Sequence, residues 1–390
     1  MTAGSPASAR RGLASIVVAA MIFGITYGLS SPLIALELSN RGHGEFVIGL
    51  NAAMQALGIL TVAAFLPRLI ARWGMQGVLF CALALTGLVL ALFPLAGLLW
   101  LWLWFPLRYL LGVGSECVMV ATESWVGQAG EEGSRATTMA IYTAAVAAGM
   151  AIGPLLLGHI GSGDAMPFLA GAAFAALACL VLAVGRLRGS RLEVAGMDTA
   201  DRAPPRLSAV LRLAPLALAA TALNAALETA GLTFLPLYAM DMGWSERGAT
   251  GLVSTLLVGA IVLQLPIGWL GDRFDRRRLI VLLSVLSTLG ALLWPSAIGV
   301  PWLGHALLFA WGGMFVGIYT LAATLVGSRY SGQPLVQVYA GMSVAFGIGA
   351  LLGPPLAGMA MGGTRHGLPL FAAATCAAFG LFAWRSRSPA

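Results

Sequence analysis

The chain has 390 residues, of which 59% are hydrophobic and only 9% are charged, and its mean hydropathy is +0.89. A soluble globular domain carries about 25% charged residues, so this composition excludes a soluble domain and indicates an integral membrane protein. The formal net charge is +7, but the basic residues stand at the ends of apolar runs, which argues against nucleic-acid binding and favours a topological role in the bilayer.

All 22 basic residues are arginine, and the absence of lysine removes several chemistries. A phosphate-binding loop and a Schiff base each need a lysine, so P-loop ATP hydrolysis, retinal binding and pyridoxal chemistry are not expected. The four cysteines lie in apolar segments without metal-ligand spacing, so neither a zinc site nor a disulfide framework is predicted. With no catalytic motif in view, the sequence predicts no enzyme activity, no cofactor and no metal site.

Twelve apolar runs, bounded by charged residues, glycine and proline, are predicted to be transmembrane helices. Such runs lack the alternation of an outer-membrane barrel, so the predicted fold class is an all-α integral membrane protein. The first run is too long for the apolar core of a signal peptide and is interpreted as a retained helix. In chain order the spans are 13–38, 47–66, 77–95, 100–127, 136–160, 165–185, 211–241, 248–270, 279–297, 302–327, 336–361 and 367–384.

The arginines indicate the orientation of these spans. With the N-terminus inside, only Arg41, Arg247 and Arg365 fall on the outer side, while the other loop arginines fall on the inner side. Basic residues collect in cytoplasmic loops, so both termini are predicted to be cytoplasmic. One missed or added span would move every later loop to the other side of the membrane. The uneven distribution of arginines between the two sides therefore supports a count of twelve spans.

One long polar connection, residues 187–210, is predicted to be a cytoplasmic linker between two six-helix halves, 1–186 and 211–390. The halves repeat at an offset of about 200 residues, which indicates two pseudo-symmetric bundles. Three pairs match in the same order: Gly153-Pro154 with Gly353-Pro354, Gly28 with Gly231, and Arg72-Trp73-Gly74 with Arg273-Phe274-Asp275.

The loop between the eighth and ninth spans has an unusual density of glycine, aspartate and arginine. Its order is Gly268-x-x-x-Asp272-Arg273-x-x-Arg276-Arg277. Together with the twelve spans and the central loop, this order resembles the major facilitator superfamily over nearly the whole chain. The loop matches the family's motif A, and the resemblance implies a conformational latch built from these five residues. The alternative is a basic loop that only fixes topology.

The first half has an equivalent loop that departs from the family pattern. It keeps Arg72 and Gly74 but has Ala71 where the carboxylate is expected. A latch in this half should therefore be weaker or differently built.

The fourth span carries Arg108, Glu116 and Glu123 on roughly one helix face. A charge near the bilayer centre costs about 2.5–3.5 kcal/mol on insertion scales, so such groups are expected to face a cavity or a partner. Arg108-x-x-x-Gly112-x-Gly114 resembles the family's motif B, whose arginine is associated with proton coupling. We therefore expect Glu116 or Glu123 to load and release a proton. The alternative is a static ion pair that joins helices.

The seventh span carries Asn224 and Glu228 one turn apart on the same face. Glu228 is a candidate proton or substrate group and Asn224 a candidate for cavity lining, because the first helix of each half lines the central cavity in this family. The alternative is a hydrogen bond between helices. Other side chains are candidate cavity lining, with packing as the alternative for each: Thr26, Tyr27, Asn51, Gln55, Gln264, Trp311, Tyr319 and Thr320.

The fifth span contains Gly149-x-x-x-Gly153-Pro154, which resembles the family's motif C, a mark of antiporters. Its glycines allow another helix to approach closely, and its proline can kink the helix. It is therefore predicted to be a helix-packing motif. Gly353 and Pro354 repeat it in the eleventh span, so internal symmetry is an alternative explanation. The motif favours export.

Glu123-Ser124-Trp125, Arg135 and the segment 234–239 are similar to the YcaD-like bacterial branch of the family. The resemblance implies a secondary transporter of a small molecule in the bacterial inner membrane, coupled to protons and working by alternating access as a monomer in the lipid bilayer. Two alternatives stay open. One is a uniporter or proton-symport importer of the same fold, and the other is a membrane receptor or assembly protein that does not transport.

Overall fold

The computed structural model describes residues 6–129, 135–188, 214–330 and 332–386, and these residues form helices and no strand. The predicted all-α class is confirmed. The helices are α1 (Pro6–Asn40), α2 (Glu45–Leu99), α3 (Trp104–Ala129), α4 (Arg135–Ile160), α5 (Met166–Arg188), α6 (Pro215–Asp241), α7 (Glu246–Val262), α8 (Gln264–Arg273), α9 (Arg276–Ala297), α10 (Pro301–Arg329), α11 (Gly332–Gly363) and α12 (Gly367–Arg385). A 3-10 turn, Leu101–Leu103, precedes α3.

Two helices differ from the predicted spans. The second and third spans are joined in α2, since the predicted loop between them is helical and the backbone departs from helical angles at Gly74. The eighth span is divided at Leu263, where α7 ends and α8 begins. Each remaining helix corresponds to one predicted span. The predicted linker at 187–210 lies almost entirely outside the described residues.

Ten stretches of the described residues are long and apolar enough to cross a bilayer, and Glu45–Gly97 is long enough for two crossings. Helix α3 is not among the ten, because Arg108, Glu116 and Glu123 lower its hydropathy. Counting Glu45–Gly97 twice and adding α3 gives twelve candidate crossings in the part of the chain that the structure describes. This number agrees with the sequence prediction.

Gly74 adopts φ 72° and ψ 160°, a region of backbone space that is essentially closed to residues with a Cβ. We expect Gly74→Ala to lower the free energy of unfolding by about 1–3 kcal/mol. Thermal unfolding of the purified protein measures the effect. Gly231→Ala is the matched control, because a Cβ at Gly231 meets no atom within 4 Å and its φ is not positive. Equal melting temperatures for Gly74→Ala and wild type would contradict the backbone argument.

By the proximity of their Cα atoms, the residues divide into two compact units, and the division falls inside α1 and α2. Unit 1 comprises Met1–Leu33 and Leu57–Arg202, and unit 2 comprises Ile34–Ala56 and Ala203–Ala390. These units differ from the predicted halves in one segment, Ile34–Ala56. The predicted division at the linker stays a prediction.

The assignment of Ile34–Ala56 to unit 2 has a packing reason. Ala56 contacts Ala225 and Ala350, which lie on α6 and α11. A Cβ on Gly49 would meet the backbone carbonyl of Pro354. The first part of α2 therefore packs against α6 and α11 of the same unit.

In unit 1, α1 and α4 approach each other closely at glycines. A Cβ on Gly153 would lie 2.6 Å from the carbonyl carbon of Gly28 and from the carbonyl oxygen of Ile25, and one on Gly149 would lie 3.0 Å from the amide nitrogen of Ile25. Pro154 follows inside the same helix. The glycines of the predicted helix-packing motif thus lie at a backbone-to-backbone contact.

Unit 2 contains the equivalent contact between α6 and α11. A Cβ on Gly353 would lie 2.6 Å from the Cα of Ala226, and one on Gly349 would meet the carbonyl oxygen of Ala222. Pro354 lies next in α11. The two motifs occupy corresponding helices of the two halves, which fits the repeat seen in the sequence.

Candidate functional site

Arg108 is buried inside unit 1, with 2% of its surface exposed. Its Nη2 donates to Ser31 Oγ at 3.0 Å, and its Nη1 donates to the Ser30 carbonyl oxygen at 3.5 Å. Its Nε has no hydrogen-bond partner, and no carboxylate lies within 4.0 Å of it among the described residues. The guanidinium is therefore held by α1 without a counter-charge in this part of the structure.

The two serines that hold Arg108 were missed by sequence reasoning. They lie 77 and 78 residues from it in the sequence. The available signal was a pair of small polar residues inside an otherwise apolar first span, directly before Pro32. A buried arginine needs such acceptors, because unpaired polar groups are costly in an apolar surrounding.

Glu116 and Glu123 lie on α3 with Arg108, but they occupy different environments. Glu116 is half-buried and Glu123 is exposed. Neither forms an ion pair or hydrogen bond within the described part of the chain. Eight residues of helix separate Arg108 from Glu116 by about 12 Å. Within the described residues, neither Glu116 nor Glu123 forms an ion pair that joins α3 to another helix.

Asn224 and Glu228 meet on α6. Asn224 Nδ2 donates to Glu228 Oε2 at 3.3 Å, across one helical turn. The other amide atom of Asn224, Oδ1, is buried without a partner. No cation lies within 4.0 Å of Glu228 among the described residues. This carboxylate therefore has one neutral donor and no described counter-charge.

Asn51 and Gln55 lie on the first part of α2 and are buried in unit 2, with 1% and 6% of their surfaces exposed. Both amide atoms of Asn51 lack a hydrogen-bond partner. Gln55 precedes Ala56 in the sequence, and Asn224 precedes Ala225, the residue that Ala56 contacts. The amide-bearing stretches of α2 and α6 thus lie side by side, and they leave polar atoms that a ligand can satisfy.

Thr26 and Tyr27 belong to α1 of unit 1. Thr26 is buried and donates its hydroxyl to the Ile22 carbonyl oxygen at 3.1 Å. Tyr27 is half-buried, packs against the core of unit 1, and has its ring centroid 6.4 Å from that of Phe23. Thr26 thus bonds within its own helix, while Tyr27 contributes to the packing of unit 1.

One cavity of about 510 Å³ lies in unit 2, at the end that carries the arginines of α9. We refer to it as the basic-end cavity. Three of the predicted lining residues line it, namely Gln264, Tyr319 and Thr320. The described residues that line it are Gln264, Arg276, Tyr319, Thr320, Ala323, Thr324, Gly327, Ser328 and Tyr339.

Trp311, by contrast, packs in the core of unit 2. It is 1% exposed and donates its Nε1–H to the Ser287 carbonyl oxygen at 2.8 Å. Its ring lies against those of Trp294 and Phe315, with centroids 4.8 and 4.7 Å away. These contacts agree with packing, the alternative for Trp311, because its indole fills the space that Gly290 leaves between α9 and α10.

The predicted latch loop is built from contacts inside unit 2. Asp272 pairs with Arg276 at 3.5 Å, and the Asp272 side chain is 73% exposed. Arg276 Nε also donates to the Gly271 carbonyl oxygen at 3.0 Å. A Cβ on Gly268 meets no atom within 4 Å, whereas one on Gly271 would meet Leu321 of α10. Close packing therefore occurs at Gly271 and not at Gly268.

The other two arginines of the loop have separate partners. The guanidinium carbon of Arg273 lies 3.9 Å from the ring centroid of Trp269. Arg277 donates to the carbonyl oxygens of Ala383 and Trp384 at distances from 3.1 to 3.4 Å. Arg277 thereby satisfies free carbonyls at the C-terminal end of α12, where a cation is also favourable.

Among the described residues, the bilayer-length helices contain a buried arginine without a counter-charge, a carboxylate inside a span and unpaired amide atoms. Such groups are costly in a membrane and mark substrate or ion pathways. These features define a multi-pass helical membrane transporter. The chain belongs to the major facilitator superfamily, whose family model matches residues 16–260 and 247–390.

Curated relatives support this membership over most of the chain. The MFS-type transporter YfkF of Bacillus subtilis (strain 168) is 27% identical over 354 residues, which cover 89% of this chain and 88% of the relative. The MFS-type transporter YcaD of Salmonella gallinarum (strain 287/91 / NCTC 13346) is 23% identical over 351 residues, which cover 87% of this chain and 86% of the relative. The predicted likeness to the YcaD-like branch is thus confirmed.

Solved structures share the fold. A mutant of the nucleoside transporter NupG has a TM-score of 0.80 at 14% identity, covering 96% of this chain and 99% of that one. A bacterial homolog of the human lysosomal transporter Spinster, in an inward-facing and unoccupied conformation, has a TM-score of 0.73 at 17% identity. The match covers 99% of this chain and 100% of that one. At these identities the likeness shows the fold alone.

Proposed function

We propose that this chain is a proton-coupled secondary transporter of a small molecule, working by alternating access. The observation that carries the proposal is Glu228, a carboxylate inside α6 with one amide donor and no cation within 4.0 Å in the described residues. A carboxylate in this position can take up a proton from one side of the membrane and release it to the other when its surroundings change.

Arg108 provides a second element of the proposal. Its guanidinium is fixed by Ser30 and Ser31, so its positive charge stays inside the span while the described residues supply no counter-charge. Such a charge favours ionised carboxylates or anionic substrate groups that come near it. Glu116 and Glu123 remain candidates for these carboxylates because they lie on the same helix.

The proposed location is the bacterial inner membrane, with both termini in the cytoplasm and the chain acting as a monomer. The bacterial relatives and the distribution of arginines between the two sides support this proposal. The proposed direction is export, which the helix-packing motif of α4 favours. The same close approach in α11 gives internal symmetry as the competing explanation, and inside-out vesicles distinguish the two directions.

Reconstitution tests the coupling. A metabolite and drug susceptibility screen on a deletion strain first identifies a substrate, and purified protein is then placed in proteoliposomes with an imposed pH gradient. We expect the gradient to drive accumulation by wild type and Glu228→Gln to reduce it to the level of empty liposomes. Asp164→Asn is the control, because Asp164 lies in an exposed loop between α4 and α5. Substrate flux that does not respond to the pH gradient would exclude coupling.

The latch loop gives a separate prediction. The Asp272–Arg276 pair is exposed and contributes at most about 1 kcal/mol to stability, so Asp272→Asn should leave the melting temperature nearly unchanged. If the aspartate acts as a conformational latch, the transport rate should nevertheless fall. Asp275→Asn is the control, because Asp275 caps α9 through the Arg278 amide and asparagine caps equally well. Wild-type transport by Asp272→Asn would leave the loop with a topological role only.

A further inference from the structure

The basic-end cavity combines one positive charge with a row of hydroxyl groups. Arg276 is the one charged residue among the nine described residues that line it. The remaining polar atoms belong to a glutamine, two threonines, a serine and two tyrosines. The wall therefore favours an anion that also makes neutral hydrogen bonds.

Arg276 supplies donors at this wall. Its Nε is engaged by Gly271 at 3.0 Å, and its Nη2 reaches Asp272 only at 3.5 Å, where the carboxylate is largely solvated. Its Nη1 makes no hydrogen bond in the part of the chain that the structure describes. A guanidinium anchored at Nε with its outer nitrogens weakly engaged is placed to bind a carboxylate or a phosphate.

Whereas Arg276 donates hydrogen bonds to a ligand, the hydroxyl groups of α10 can accept them. Thr320, Thr324 and Ser328 donate to backbone carbonyl oxygens of their own helix, at 3.2, 2.7 and 2.9 Å. Because each hydroxyl has a single hydrogen, its oxygen can then only accept a bond from a ligand. These residues stand four apart on one face, so the acceptor row spans about 12 Å.

The cavity is also accessible and large enough for a metabolite. Gln264, Thr324, Ser328 and Tyr339 are exposed, so the acceptor row can be reached from outside. The Tyr339 hydroxyl lies 3.8 Å from the position of a Cβ on Gly327, which places α11 across the cavity from α10. A volume of about 510 Å³ falls within the usual range of small-molecule sites.

We propose that the basic-end cavity binds a small polyhydroxylated anion, with its carboxylate or phosphate on Arg276 and its hydroxyl groups donating to Thr320, Thr324 and Ser328. Neither an uncharged polyol nor an anion without hydroxyl groups satisfies both parts of the wall. A free anion and the headgroup of phosphatidylglycerol share this chemistry. Neither Glu228 nor Arg108 is among the described residues that line this cavity, and the proposal does not depend on the proposed proton coupling.

Three probes of six carbons separate the two requirements. Gluconate carries a carboxylate and hydroxyl groups, hexanoate carries only the carboxylate, and sorbitol carries only hydroxyl groups. Their binding to the full-length protein in phosphatidylcholine nanodiscs is measured by titration calorimetry, without any transport assay. We expect gluconate to bind at least about tenfold more tightly than either comparison probe. Equal binding of all three would overturn the proposal.

Variants test the assigned residues. Arg276→Gln and Thr324→Val should each weaken gluconate binding by about tenfold, while Arg278→Gln should leave it unchanged, since Arg278 does not line the cavity. Thr324→Val keeps the shape of the side chain and remains informative if Arg276→Gln fails to fold. Wild-type affinity in both Arg276→Gln and Thr324→Val would show that gluconate binds elsewhere and would overturn the assignment.

The lipid composition identifies the source of the anion. In nanodiscs that contain phosphatidylglycerol, a headgroup bound in the cavity should compete and weaken gluconate binding. Unchanged affinity would indicate a soluble occupant. Both results support the site, and they differ only in where its ligand comes from.

Discussion

Arg108→Leu should abolish transport while leaving the melting temperature unchanged or raising it. Arg108 is 2% exposed, and its three nitrogens receive one serine hydroxyl and one carbonyl oxygen as partners. A charge at the centre of a span costs about 2.5–3.5 kcal/mol, which two neutral acceptors only partly offset. Removing the charge should therefore stabilise the helix bundle. Because Arg108 is retained although its buried charge lowers stability, we expect it to be needed for transport.

Thermal unfolding and reconstituted flux, measured on the same preparations, check this prediction. Arg108→Lys retains the charge but loses the forked geometry towards Ser30 and Ser31, so partial activity is expected. Arg41→Leu is the control, because Arg41 lies at the end of α1 and pairs with Glu37 at 2.8 Å. A lower melting temperature with transport retained would assign Arg108 a structural role in holding α1 against α3.

Gly153→Leu should prevent unit 1 from folding, because the new side chain would enter the backbone of α1. A Cβ at this position lies 2.6 Å from the carbonyl carbon of Gly28 and from the carbonyl oxygen of Ile25. Backbone atoms of a packed helix cannot move aside as a flexible side chain can, so we expect a loss of at least about 3 kcal/mol. The measurements are the yield of protein in the membrane fraction and its monodispersity after extraction.

Two further variants show whether the effect is specific to close helix approach. Gly353→Leu should behave similarly, since its Cβ lies 2.6 Å from the Cα of Ala226 on α6. Gly251→Leu should be tolerated, because a Cβ there meets no atom within 4 Å. If Gly153→Leu accumulated and melted like wild type, the close approach of α1 and α4 would not matter for folding.

The sequence by itself determined the helical class. In a bilayer every backbone polar group must be satisfied within the chain, so long apolar runs can only be helices. It also placed Asn224 one turn from Glu228 and Asp272 four residues from Arg276, and both pairs form in the structure. Contacts at this spacing follow from helix geometry alone.

Helix rotation and packing decided the remaining contacts. Only the tertiary structure brought Ser31 to Arg108, sent Arg277 to the end of α12, and turned Trp311 into the core of unit 2. Only the tertiary structure brought α8, α9, α10 and α11 together to form the open basic-end cavity. Residues such as Ser31 and Arg108 lie far apart in sequence, and helical periodicity does not specify which faces of two distant helices meet. That choice depends on close packing at small residues such as Gly149 and Gly153, which periodicity does not encode.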